Sequence, residues 1–128
     1  MDRSEKGRLG EDAVCELLVR RGHSIVGRNY RKRTGEIDII SEVNGFIVFT
    51  EVKTREMNSM VSGIEAVDGR KQRKIVLTSD AYLTEHDCGL QPRYDVAEVT
   101  ITRGEIPRVV RIDIVEDAFT ADGIYTLN

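Results

Sequence analysis

The chain has 128 residues, 40% of them hydrophobic and 32% charged, with no Trp and a net charge of −3. That is enough for one domain with a real core, and no apolar run approaches the length of a membrane span. Two cysteines, Cys15 and Cys88, are too few and too far apart for a zinc motif. The opening segment Met1–Lys6 has no apolar signal region, which predicts a cytoplasmic protein.

The overall acidity hides an asymmetry. Residues 1–74 carry 15 Lys and Arg against 12 Asp and Glu, whereas residues 75–128 carry 4 against 10. Basic residues gather at Arg28, Arg31, Lys32 and Arg33, and again at Arg70, Lys71, Arg73 and Lys74. Each run alone reads as a solvated surface. Two runs flanking an acidic segment in sequence suit a phosphate-binding surface.

In chain order, Ser4 would cap a first helix reaching about Arg21, with Leu9, Ala13 and Leu17 on one face and Gly22 as its stop. His23 beside that stop reads as a cation at a helix C-terminus. Residues 24–30 read as a strand, followed by a basic loop. Next comes a hairpin, about 36–43 and 46–54, turned by Asn44-Gly45, the strongest short-range signal for a two-residue turn. Residues 56–63 lack a period and read as a mobile loop. A second helix runs from near Asp68 to near His86, then strands cover 94–101 and 109–115, and Glu116 to Ala121 makes one helical turn. The order α-β-β-β-α-β-β predicts a mixed sheet flanked by helices in an α/β domain.

The hairpin carries the chemistry. If Val43 pairs with Phe46, the register sets Asp38 opposite Glu51 and Glu36 opposite Lys53, all four on one face. Like charges directly opposed destabilise a sheet, and Ile37, Ile39, Phe49 and Val52 surround them with apolar neighbours, where charge is costly unless paired or bound to metal. A hard cation such as Mg²⁺ commonly takes one or two carboxylates and keeps several waters. Asp38 and Glu51 would hold it, and Lys53 would orient or deprotonate a water or stabilise charge on phosphorus. The set implies metal-assisted phosphodiester hydrolysis. A Glu-x-Lys also occurs by chance in many strands, and Glu36 with Lys53 would equally make a surface ion pair. A four-residue loop would place Glu36 opposite Glu51, and a three-residue loop would turn Asp38 to the other face unless a bulge restored it.

Lys6-Gly7-Arg8-Leu9-Gly10-Glu11, Arg28-Asn29-Tyr30-Arg31, Gly35-Glu36-Ile37-Asp38, Phe49-Thr50-Glu51-Val52-Lys53-Thr54-Arg55 and Arg93-Tyr94-Asp95-Val96 resemble the bacterial YraN family. That family in turn resembles archaeal Holliday-junction resolvases and the PD-(D/E)xK nucleases of restriction-endonuclease-like fold. The resemblance implies that Asp38 and Glu51 are metal ligands, that the Val52 carbonyl completes the shell, that Lys53 is the catalytic lysine and that Glu11 is the first-helix acid assisting the site. Locally, Glu11 is also an ordinary acid near a helix N-terminus. The proline of the nuclease name is replaced by Ile37, which leaves the ligands intact.

The reading is a Mg²⁺-dependent endonuclease (Mn²⁺ serving as well) acting on DNA, branched or structured DNA included. Phosphates would be held by Arg28, Arg31, Lys32 and Arg33, by Arg70, Lys71 and Arg73, and by Arg55. Arg55 would alternatively pair with Glu56 or Glu36, and Lys71 and Arg73 would contact a phosphate or the site edge, a solvated helix face being the alternative. Aromatic residues make up only 5%, too few for an obvious base-stacking platform, so recognition by shape and backbone is expected. A resolvase would work as a homodimer. The competing reading is a non-catalytic nucleic-acid-binding or protein-adaptor module on a nuclease fold. Arg93 and Asp95, two apart on a strand, read as a structural pair.

Overall fold

The structure is a computed structural model that describes residues 1–58 and 67–122. Helix α1 spans Arg3–Arg20. Its cap is Asp2 rather than Ser4, the Asp2 carboxylate accepting from the Glu5 N–H at 2.9 Å. Gly22, at φ 91°, supplies the left-handed stop, and the His23 N–H returns to the Leu18 carbonyl at 2.9 Å.

Strands β1 (Ser24–Lys32), β2 (Gly35–Val43) and β3 (Phe46–Glu56) follow. The basic residues Arg28, Arg31 and Lys32 thus stand on β1, not in a loop. Asn44 and Gly45 both take positive φ, 46° and 84°, as a tight primed turn requires. Helix α2 (Gly69–Glu85) is capped by Asp68, and strands β4 (Gln91–Ile101) and β5 (Val109–Phe119) complete the element order. The helical turn expected over 116–121 is absent because β5 continues to Phe119. Asp117 sits there at φ 54°, and its N–H donates to the buried Asp95 carboxylate at 3.0 Å across a bulge. Glu56 ends β3, and the rest of the expected loop over 56–63 falls almost wholly outside the described residues.

One sheet holds all five strands in the order β1-β2-β3-β4-β5. β3 and β4 run parallel with α2 as their crossover, and the other neighbours are antiparallel. Each face is sealed by one helix. Val14 and Leu18 of α1 pack with Ile39, Ala97, Val99 and Ile101. On the opposite face, Ile75, Val76 and Tyr82 of α2 pack with Ile37, Ile40, Phe49 and Val96. Phe49 is fully buried between the rings of Tyr82 and Tyr94, so truncation to Ala would cost roughly 3–5 kcal/mol. Among the described residues no helix is long and apolar enough to cross a membrane.

Candidate metal centre

The hairpin register holds from Val43 opposite Phe46 to Ile39 opposite Thr50, and there the β2–β3 ladder ends. Asp38 and Glu36 are therefore not strand-paired with Glu51 and Lys53, contrary to the extrapolated register. Instead the Asp38 side chain occupies the gap, Oδ2 accepting the Val52 N–H at 2.7 Å. Glu36 pairs across β1 with Arg31, whose Nε lies 3.3 Å from Oε1.

Asp38 also lies where the pleat inverts. Its neighbour Ile39 belongs to the α1 layer and Ile37 to the α2 layer, although residues two apart in a regular strand share a face. Asp38 consequently borders a cavity on each side. One, of about 210 Å³, is lined by Gly35, Glu36, Glu51, Lys71, Lys74 and Ile75. The other, of about 310 Å³, lies against α1 and is lined by Ser4, Gly7, Arg8, Glu11, Asn29, Arg31 and Glu36.

Glu51 is 5% exposed, a buried carboxylate that needs partners. Among the described residues it pairs with two lysines, Lys53 Nζ at 3.3 Å and Lys71 Nζ at 3.1 Å, both on Oε1. Lys71 reaches it from the first turn of α2, where the Asp68 cap accepts the Lys71 N–H at 3.0 Å. The sequence offers Lys71 as a contact to a phosphate or the site edge, or as part of a solvated helix face, without naming Glu51. Its partnership with Glu51 depends on the β3–α2–β4 crossover, which no local pattern reveals.

The electrostatics follow from crowding. Burial and the nearby charge of Glu51 push the Asp38 carboxyl up to about 7, against the lowering effect of the Val52 N–H. Burial and then Lys71 bring Lys53 below its usual value, with Glu51 opposing. Burial raises Glu11, whose Oε1 is 3.8 Å from Arg28.

Asp38 and Glu51, with the Val52 carbonyl that the resemblance implies, would make an all-oxygen donor set of the size a hexa-coordinate hard cation accepts when water fills the remainder. The mutual charge penalty on Asp38 is what such an ion would relieve. Among the described residues no three acid, His or Cys side chains converge as a closed metal cage, so only an open, hydrated site fits.

The other expected residues divide. Arg28 is drawn to Asp12 at 2.7 Å, Lys32 to Glu85 at 3.1 Å, and Arg55 to Glu98 at 2.6 Å rather than to Glu56 or Glu36. Arg33, Arg70 and Arg73 form no ion pair among the described residues. Arg93 grips Asp95 with two hydrogen bonds of 3.0 and 2.9 Å, the structural pair expected. His23 is buried instead of capping α1 as a cation: its Nδ1 lies 2.9 Å from Ser41 Oγ, and burial holds its pKa below the ordinary value.

The α-β-β-β-α-β-β order and mixed sheet are those of the restriction-endonuclease-like fold. The family described as Uncharacterised protein family UPF0102 matches residues 10–99, and the chain belongs to that family, the YraN family of the sequence resemblance. It is similar to a UPF0102 protein of Persephonella marina, 42% identical over 73% of this chain and 82% of the relative. A UPF0102 protein of Moorella thermoacetica is 38% identical over 93% and 98%, and one of Pseudomonas paraeruginosa 32% over 91% and 94%.

Proposed function

We propose that the chain is a metal-dependent endonuclease that hydrolyses phosphodiester bonds in DNA, branched or structured DNA included. The observation carrying this reading is that Asp38 and Glu51 line one cavity at the point where β2 and β3 part, with Lys53 on the Glu51 carboxylate. Asp38, Glu51 and the Val52 carbonyl would hold Mg²⁺ or Mn²⁺, which when bound activates water and draws charge from the phosphoryl oxygens. Asp38 must be ionised to bind, and the Val52 N–H holds its Oδ2 against the β3 backbone. Lys53 would orient the attacking water or accept its proton, a task helped by a lowered pKa. Lys71 shares Glu51 Oε1 with Lys53 and would shift to a phosphate oxygen once a cation takes that carboxylate. Glu11 borders Asp38 from the α1 side. Arg33, Arg70 and Arg73, unpaired among the described residues, would meet the DNA backbone.

The test is cleavage of single-stranded, duplex, flap and four-way DNA with Mg²⁺ and Mn²⁺. Activity on at least one substrate, lost in Asp38→Ala, is expected. Cleavage that survives Asp38→Ala would refute the assignment.

A second reading, a nucleic-acid-binding or adaptor module without catalysis, draws support from one observation. Two lysines already compensate Glu51 without any cation. It predicts Asp38-independent DNA binding and no cleavage.

A further inference from the structure

Asn29 stands in the middle of β1 at φ 51°, a left-handed conformation that Asn tolerates better than other residues bearing a side chain. The strand count is undisturbed there. Arg28 pairs with Ile39 and Tyr30 with Ile37, so Asn29 falls opposite Asp38. The pleat is not undisturbed. Arg28 reaches Asp12 on α1, while Tyr30 packs edge-on against Tyr82 of α2. A left-handed residue swaps the faces of the residues after it, and β2 swaps in step, Ile39 to one layer and Ile37 to the other. Asp38, at the crossing point, faces neither layer squarely and meets the β3 backbone at Val52.

The Asn29 side chain adds a second link. With its nitrogen towards them, the amide lies 3.2 Å from Glu11 Oε1 and 3.0 Å from Glu36 Oε1. An amide has two N–H donors, one for each carboxylate, whereas its oxygen turned that way would be repelled by both. Glu11 comes from α1 and Glu36 from β2, and both line the cavity that Asp38 borders. Without the amide, Arg28 and Arg31 are the competing partners for these acids.

We propose that Asn29 is a positioning residue of the Asp38 centre: its backbone sets the direction of Asp38, and its amide clamps Glu11 and Glu36 at the border. The proposal rests on the reading of Asp38 and Glu51 as a metal centre.

Asn29→Gly separates the two parts, because Gly keeps the left-handed backbone and removes only the amide. Mn²⁺ binding by isothermal titration, on protein without DNA, is expected to weaken roughly 10- to 100-fold, the usual cost of losing a group that orients ligands, with the melting temperature little changed. Asn29→Asp keeps the backbone tolerance but reverses the donor, and is expected not to restore binding. The Asn29 side-chain amide resonances in the wild type are expected to shift in both Glu11→Gln and Glu36→Gln. Wild-type affinity in Asn29→Gly, tighter binding in Asn29→Asp, or amide resonances indifferent to both acid substitutions would each overturn the proposal. Mn²⁺ binding that ignores Asp38→Ala would instead remove the metal centre, and the assigned role with it.

Discussion

The Asp38 carboxylate accepts the Val52 N–H at 2.7 Å, so one side chain stands where the β2 backbone would otherwise complete its ladder with β3. A strand pair that opens in this way leaves unpaired backbone groups, which must be satisfied. Asp38 satisfies one of them, the Val52 N–H, through Oδ2. The separation of β2 from β3 and the orientation of the acid are therefore one feature.

Stability should fall with pH through Asp38. In the unfolded chain its carboxyl titrates near the ordinary 3.8, and in the folded chain near 7. Between those values the native state holds the extra proton, so this contribution is full below pH 4 and is lost as pH rises to 7. Asp38→Asn lacks this loss. In EDTA its melting temperature should exceed that of the wild type at pH 8, and the gap should close towards pH 4. Added Mg²⁺ should raise the wild type most at the alkaline end and leave the Asn variant unmoved. A constant gap between pH 4 and 8 would contradict the burial of the Asp38 carboxyl and its crowding by Glu51.

The lysine pair on Glu51 should behave non-additively. Lys71→Met leaves Lys53 on the carboxylate, and its cost should be about 1 kcal/mol in urea unfolding. Removing both lysines strands a carboxylate that is 5% exposed. The double variant should lose about 3–5 kcal/mol, more than the singles combined. Mg²⁺ should return more stability to the double variant than to the wild type, since the cation would then compete with no lysine.

How much of the fold and the centre is legible in the sequence depends on the range of each interaction. Asn44-Gly45 is local turn chemistry, and it sets the hairpin register as far as Ile39 opposite Thr50. Extrapolation to Asp38 fails because a ladder ends where a side chain replaces backbone, and nothing local marks that residue. Asn29 is the available signal: an Asn inside a strand pattern points to a positive φ and a break in alternation. Lys71 on Glu51 and Arg55 on Glu98 are illegible, since both pairs depend on how β4 and α2 return to β3. His23 departs from the helix-end expectation because the turn after Gly22 points it inward to Ser41.

His23 yields an acid limit. Its folded pKa is depressed, chiefly by burial, from the ordinary 6.5. The unfolded chain takes up the proton first, so the contribution of His23 is present above pH 6.5 and is lost as pH falls through and below that value. The wild type should lose stability relative to His23→Gln on going from pH 7 to pH 5. Proton NMR of the His23 ring should give a midpoint below 6.5, and one at or above 6.5 would mean that the ring is not desolvated.

Gly10 sets how closely α1 approaches β3. It is buried in the helix, and a Cβ placed on it would run into the Thr54 side chain. In an open helix position Gly→Ala gains about 1 kcal/mol from propensity. Gly7 is such a position, with nothing within 4 Å of an added Cβ, and Gly7→Ala should stabilise by up to about that amount. At Gly10 the clash reverses the sign. Forcing a methyl into a packed contact costs roughly 1–3 kcal/mol, and the α1 shift that relieves it would also carry Glu11, the next residue, away from Asn29. Gly10→Ala should therefore lower both stability and Mn²⁺ affinity, while Gly10→Ala with Thr54→Ala should recover most of each. Urea unfolding and metal titration on the three variants check this, and a Gly10→Ala protein as stable as Gly7→Ala would show that α1 has room to spare.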